Sequence, residues 1–405
     1  MKAVQAKGPA LSRRARAIES SPTMAMSQRA TALRASGRSV LDFSVGEPDQ
    51  PTPAHINAAA HAAMLAGKTK YAPSAGVPEL RAAVVARYAE DFGVSFATAE
   101  CAITIGGKQA LYLVCQALFD KGDEMILPTP HWPTFAEAAR LAGAKPVFVT
   151  CREKEGWNVT SRMVARAVTP KTRAVLINSP SNPTGAVIGS ADLLAIARAC
   201  KKKDITLIYD DTYGRLSFVE TDKAVLGAIK KELGERLVIL GTASKTYCMT
   251  GWRIGWILGG KPLVDACAAL ISHSTQCPTT FAMAGAVEAL TGPQELVEEL
   301  RAEYRTRFKF IYGAVSAIPR LSCVQPGGGF YLFPNFEAYL SRRVPTTLDL
   351  GGHLLEQEGV ALVPGEGFGA PGYMRLSFAR SMQDLQEGAA RLAKFLAGLR
   401  DGAAA

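Results

Sequence analysis

The chain has 405 residues, 48% of them hydrophobic and 20% charged, which excludes a disordered chain and a single small core and predicts a soluble globular protein of two or three domains. Its net charge of +10 suits anionic ligands, but the basic residues are dispersed and do not interleave with aromatics, which excludes a nucleic-acid-binding surface. The eight cysteines show no CxxC, the five histidines no HExxH or zinc spacing, and no apolar run reaches spanning length, which sets aside a disulfide scaffold, a metal centre and a membrane segment.

Residues 1–10 read as a frayed end without the apolar core of a signal peptide. Residues 11–36 are helical in composition, with Pro22 interrupting. A short strand over 41–45 ends in the turn Gly46-Glu47-Pro48-Asp49, and Pro51 and Pro53 keep the next residues extended. A helix over 55–66 is closed by Gly67. After the loop 71–76, a second helix over 78–92 begins on proline.

From there strands and helices alternate. Strands are expected over 102–105, 124–127, 145–149, 172–177, 205–209, 237–240 and 256–259, with helices over 108–118, 133–142 and 191–200 between them. Such alternation predicts an α/β fold with a mostly parallel sheet flanked by helices, and ligands of these sheets gather at the carboxyl ends of the strands. Lys201-Lys202-Lys203 reads as a solvated helix end. Cys115, Cys200 and Cys267 sit in apolar surroundings and read as reduced core thiols of a cytoplasmic protein. Past residue 293 the rhythm changes to a charged helix over 295–317, read as a solvated connector. Short strands over 330–333, 360–363 and 373–378 follow, then a helix over 382–399. This predicts a smaller α+β domain at 295–405, completed by the N-terminal segment 1–50, beside a large domain at 51–294.

The chemistry gathers at the predicted strand ends. Lys245 follows the apolar run 237–240 in the segment LGTASKTYCMTGWRIGW, with Thr242 and Ser244 before it and Arg253 after it. A desolvated lysine near another cation has a lowered pKa and attacks carbonyls, while an arginine beside hydroxyls grips phosphate. Gly106-Gly107-Lys108-Gln109 follows a strand and opens a helix, where backbone N–H groups favour an anion; the spacing is not that of a P-loop. Asp210 ends the strand ITLIY, and Tyr213 stands three residues on. Asn182 lies in Ser-Asn-Pro-Thr-Gly after another strand. Trp132 could stack on a planar ring, and Arg375 alternates with apolar residues on a predicted strand, suiting it to a carboxylate. An aldehyde-reactive lysine, a phosphate grip and a strand-end carboxylate together suggest pyridoxal 5′-phosphate.

The motifs LSRRARAI, VGEPD, KYAPSAGVPELR, TIGGKQAL, NSPSNPTGAV, SKTYCMTGWRIGW and MRLSFA span residues 11–399 in their context. By them the chain resembles the class I/II aminotransferases among the fold-type I pyridoxal-phosphate enzymes, and within these the bacterial aspartate aminotransferase subgroup. The resemblance implies a cofactor anchored on Lys245, which also moves the Cα proton. It implies Asp210 on the ring nitrogen, Asn182 and Tyr213 on the ring oxygen, and Trp132 stacked on the ring. Gly107, Lys108, Gln109, Thr242, Ser244 and Arg253 would surround the phosphate. Gly46, Trp132, Asn182 and Arg375 would hold the substrate α-carboxylate. Tyr71 would reach the phosphate of a second subunit, which makes a homodimer with shared active sites.

The implied reaction moves an amino group from an L-amino acid to a 2-oxo acid, aspartate with 2-oxoglutarate. Lys108 and Thr23 match the positions that hold a second carboxylate in the subgroup. Glu19 stands where relatives often carry lysine, His131 replaces a more usual tyrosine, and Arg380 is a candidate replacement cation. His273 and Gln276 are expected to line the site. Transfer from aromatic amino acids or to prephenate is the alternative, and a pyridoxal-phosphate-dependent lyase a further one. No metal, nucleic acid or membrane enters the reading.

Overall fold

The computed structural model describes residues 9–18 and 22–402. Its strands are β1 (Leu41–Asp42), β2 (Cys101–Thr104), β3 (Glu124–Thr129), β4 (Lys145–Thr150), β5 (Thr172–Asn178), β6 (Thr206–Asp210), β7 (Leu237–Thr242), β8 (Gly255–Leu258), β9 (Tyr331–Leu332), β10 (Val360–Ala361), β11 (Val363–Pro364) and β12 (Met374–Ser377). The sequences TRAVLIN, TLIYD and LVILGT of β5, β6 and β7 are nearly continuous apolar runs, as a sheet covered on both faces requires. They lie at the centre of a seven-stranded sheet ordered β2-β8-β7-β6-β5-β3-β4. Alternate side chains enter opposite layers: Leu207 and Ile239 face one core, Ile208, Val238 and Leu240 the other.

The sheet is parallel except at β8, which runs antiparallel to β7 and β2. The link 243–254 between β7 and β8 contains turns and one short 3-10 stretch but no crossover helix, so the chain doubles back beside its own strand. That reversal folds the lysine segment over the carboxyl end of the sheet.

The C-terminal part differs from its sequence-based outline in two places. The helix Glu295–Ser316 is not solvated all round: Val297, Leu300, Tyr304, Phe308, Ile311 and Val315 are buried at helical spacing. The charged residues between them hide this face in the composition. The strand expected over 360–363 is two strands. β10 pairs in parallel with β1, and after Leu362 the chain changes partner so that β11 pairs antiparallel with β12. β12 continues antiparallel to β9. Phe43, Tyr304, Phe330, Phe336 and Phe378 form a separate apolar cluster, which also takes in Tyr213 and Phe218 from the chain after β6. The interruption expected at Pro22 is a helix start, since Pro22–Ala35 begins on it.

Candidate active site

The carboxyl ends of β5, β6 and β7 converge on one cavity. Asp210 is the last residue of β6 and lies in register with Asn178 of β5. Asn178 Nδ2 donates to Asp210 Oδ1 at 3.2 Å and the Thr212 N–H donates to the same oxygen at 3.0 Å. Both bonds land on Oδ1, which leaves Oδ2 free of them. Burial raises the Asp210 carboxyl to about 6, against the lowering by these bonds.

Lys245 lies in the turn after β7, and its Nζ donates to the Gly46 carbonyl at 2.8 Å. Burial lowers its amine to about 8; Arg375, Arg253 and Lys108 push the same way and Glu47 opposes them. Neutral amine is therefore available near neutral pH.

Around the turn the chain packs backbone on backbone. A Cβ at Gly255 would lie 2.6 Å from the Gly107 nitrogen, and one at Gly106 would lie 2.5 Å from Arg253 Nη2. Glycine at these points lets β8 and Arg253 approach the start of the helix Gly106–Leu118. Arg253 itself adopts a left-handed conformation, with φ of 59°. The hydroxyls of Thr242 and Ser244 lie 2.8 Å apart beside it. A helix N-terminus, two hydroxyls and a guanidinium make an anion site.

On the opposite wall, Arg375 is only 2% exposed. Its Nη1 donates to Asn182 Oδ1 at 3.0 Å and its Nη2 to the Ser44 carbonyl at 2.7 Å. Its Cζ lies 4.5 Å from the Tyr331 ring centroid and 5.2 Å from that of Phe368. Its Nε is buried without a partner among the described residues. Lys108 Nζ lies 5.1 Å from the Trp132 ring centroid, and burial followed by Arg253 lowers its pKa.

The cavity has a volume of about 310 Å³, and its lining brings together Gly46, Gly107, Lys108, Trp132, Asn182, Asp210, Tyr213, Thr242, Ser244, Lys245, Arg253 and Arg375. Gln109 stands at the same turn, but its side chain accepts from the Ile105 N–H at 2.6 Å and donates to Thr275 at 3.2 Å. Tyr71 is 86% exposed and does not line this cavity. His273 and Gln276 are exposed and also stand apart from it. Arg380 donates from Nε to the Asp42 carbonyl at 2.9 Å and lines a neighbouring cavity with Arg34 and Glu47. His131 is buried, stacked on Phe148, and lowered to about 4 by burial and then Arg140; it lines a separate cavity and not this one. Glu19 and the side chain of Thr23 lie outside the described residues.

Four further residues line the cavity: Phe135, Asn178, Thr212 and Tyr331. Asn178 had a signal, since it ends an apolar strand as Asp210 does. Tyr331 sits between Phe330 and Leu332 and reads as plain core. A buried amine that shares one cavity with a carboxylate, an anion-binding turn and an arginine can bind and react with an anionic carbonyl compound. Among the described residues no cluster of His, Cys, Asp and Glu could hold a metal, and no helix is long and apolar enough to cross a membrane.

The family model for aminotransferase class I and II matches residues 38–392. An aspartate aminotransferase of Geobacillus stearothermophilus is 40% identical over 95% of this chain and 98% of its own length. An aspartate/prephenate aminotransferase of Thermus thermophilus is 39% identical over 95% of this chain and 98% of its own length. The solved structure of the Thermus thermophilus aspartate aminotransferase with maleate superposes with a TM-score of 0.91 at 38% identity, covering 96% of this chain and all of that one (100%). The chain belongs to the class I and II aminotransferases.

Proposed function

We propose that this aminotransferase carries pyridoxal 5′-phosphate on Lys245 and moves the amino group of aspartate to 2-oxoglutarate. The observation that carries the reading is the buried amine of Lys245, with its lowered pKa, in one cavity with Asp210, Arg253 and Arg375. The residues fit the cofactor's three chemical demands. Its aldehyde needs a neutral amine, which burial provides at Lys245. Its ring nitrogen needs a carboxylate, and Asp210 keeps Oδ2 clear of the bonds that fill Oδ1. Its phosphate needs donors and positive charge, which the turn at Gly107 supplies with Thr242, Ser244 and Arg253.

Bound there, the cofactor supplies an aldehyde that condenses with amines and a ring that takes up the electron pair left at Cα. The chain's own residues do the rest. Asp210 would hold the ring nitrogen protonated, Trp132 would stack on the ring, and Asn182 and Tyr213 would bond its oxygen. Arg375 and Asn182, already bonded to each other, hold the α-carboxylate in a fixed plane. The Lys245 amine then takes the proton from Cα. Lys108, beside Trp132, meets the distal carboxylate of a dicarboxylic substrate. The relative solved with maleate, itself a dicarboxylate, supports that choice. The name of the Thermus thermophilus relative supports prephenate as a second amino acceptor.

Two copies would share sites, with Tyr71, exposed and away from its own cavity, serving the neighbour's phosphate. The eight free cysteines, six of them buried, fit a cytoplasmic protein. We divide the chain accordingly into a large cofactor-binding domain at 51–294 and a small domain at 295–405 that the N-terminal segment 1–50 would complete.

A half-reaction tests the reading. The absorbance of the purified protein is recorded, and single amino acids are then added. Conversion of the cofactor band to its aminated form by aspartate and glutamate, with release of 2-oxo acid, is expected. Conversion by aromatic amino acids alone would replace aspartate as the donor. Pyruvate and ammonia in place of an aminated cofactor would indicate a lyase. No cofactor band after added pyridoxal phosphate would mean that Lys245 does not carry it.

A further inference from the structure

We propose that Tyr331 is a positioning residue of this site, its hydroxyl donating to Tyr213 and orienting that hydroxyl into the cavity. The inference rests on the cofactor reading above. Tyr331 opens β9, is 1% exposed, and lines the cavity from the wall opposite Lys245's strand. Its hydroxyl lies 3.0 Å from that of Tyr213, with the two rings edge to face at 5.8 Å. A phenol carries one proton to give. If Tyr213 gives its proton to the ring oxygen, the bond between the two hydroxyls runs from Tyr331 to Tyr213. A hydroxyl that accepts one bond donates a stronger one onward.

The ring and the hydroxyl of Tyr331 have separate partners. The ring faces Arg375, whose Cζ lies 4.5 Å from its centroid. The hydroxyl faces Tyr213 and abuts Gly46, where a Cβ would lie 2.4 Å from it. The carbonyl of Gly46 in turn accepts from Lys245. One tyrosine of the small sheet therefore touches the holder of the α-carboxylate, the donor to the ring oxygen and the segment that holds the lysine.

Tyr331→Phe removes the hydroxyl and keeps the ring. The decisive readout is the pH midpoint of the cofactor absorbance in the resting enzyme, which reports the proton on the nitrogen joining Lys245 to the cofactor. Loss of that proton leaves the negative ring oxygen without its internal partner, so a donated bond favours the deprotonated form. Weakening the Tyr213 donor raises the midpoint, by about 0.3–1 pH unit, up to the worth of one hydrogen bond. The KM for the amino acid stays within about twofold, because the face under Arg375 remains. In a second variant, 3-fluorotyrosine at position 331, a more acidic phenol in the same space, lowers the midpoint. A cofactor band whose midpoint moves in neither variant, or moves in the opposite directions, overturns the assignment. A wild-type enzyme with no titrating cofactor band overturns the parent reading instead.

Discussion

Asp210 and Lys245 come from the large parallel sheet, Arg375 and Tyr331 from the small antiparallel one, and the two walls keep buried charge in different ways. On the large wall the ionisable groups stand where strands end. There the chain leaves the ladder and frees backbone groups, and the Thr212 N–H and the Asn178 amide reach Asp210 within the same sheet edge. On the small wall Arg375 stands inside β12, between Met374 and Leu376. Its bonds come from Ser44 and Asn182, on elements distant in sequence, and its flat faces are covered by Tyr331 and Phe368. Asp210 is satisfied by donors of its own sheet edge, whereas Lys245 and Arg375 both lean on the segment after β1, through the Gly46 and Ser44 carbonyls. The Asp210 end of the large wall thus depends on the geometry of one sheet edge, while the lysine and the arginine depend on assembly with the segment after β1.

The sharpest break of this contrast is Lys245→Ala. It should lower turnover at least about 10⁴-fold, since nucleophile and base are lost together. It should not weaken the fold, because a buried amine costs stability. Steady-state rates and thermal melts check both, and turnover within tenfold of wild type would place the reaction elsewhere. Asp210→Asn keeps the shape of the same wall and removes its anion. A fall in kcat of about 10²- to 10³-fold is expected, the usual worth of one preorganised electrostatic group.

On the small wall, Arg375→Lys keeps the charge but loses the planar fork and the stack. The KM for amino acids should rise about 10- to 150-fold, more than kcat falls, the worth of charge-assisted bonds. An equal loss in both constants would mean that Arg375 acts in the transition state, like the large wall.

A pH experiment separates Lys245 from ordinary lysines. Its folded pKa lies below the usual value, at about 8, and only the neutral amine attacks an aldehyde. Uptake of pyridoxal phosphate by the cofactor-free protein should therefore rise about tenfold from pH 7 to pH 9 and then level off. A rate still climbing steeply at pH 10 would describe an exposed lysine. The smallest effect joins the two walls. At Gly46→Ala the new Cβ would lie 2.4 Å from the Tyr331 hydroxyl, and overpacking of this kind costs about 1–3 kcal/mol. Adding Tyr331→Phe should recover part of that loss in a urea melt; no recovery would place the strain elsewhere.

Residues at strand ends were legible because an apolar run followed by a polar residue is a local signal, and Lys245, Asp210 and Asn182 all carry it. Gln109 stands at the same anion-ready turn, and its side chain is bonded to Ile105 and Thr275, partners that no local signal names. Tyr331 carries no signal, since an aromatic in Phe-Tyr-Leu is what any core strand contains. The buried face of Glu295–Ser316 was masked by the charges around it.

What the sequence determined by itself is the order of strands and helices, the apolar centre of the large sheet and the polar residues at its strand ends. Period, turn residues and apolar runs are properties of neighbours along the chain. Only the tertiary structure decided that β8 runs backwards, that the chain changes sheets at Leu362, that Arg375 meets Asn182 across 193 residues, and that Tyr213 meets Tyr331 across 118. Those choices are made by packing and by the need to pair buried polar groups, whose partners local preference does not specify.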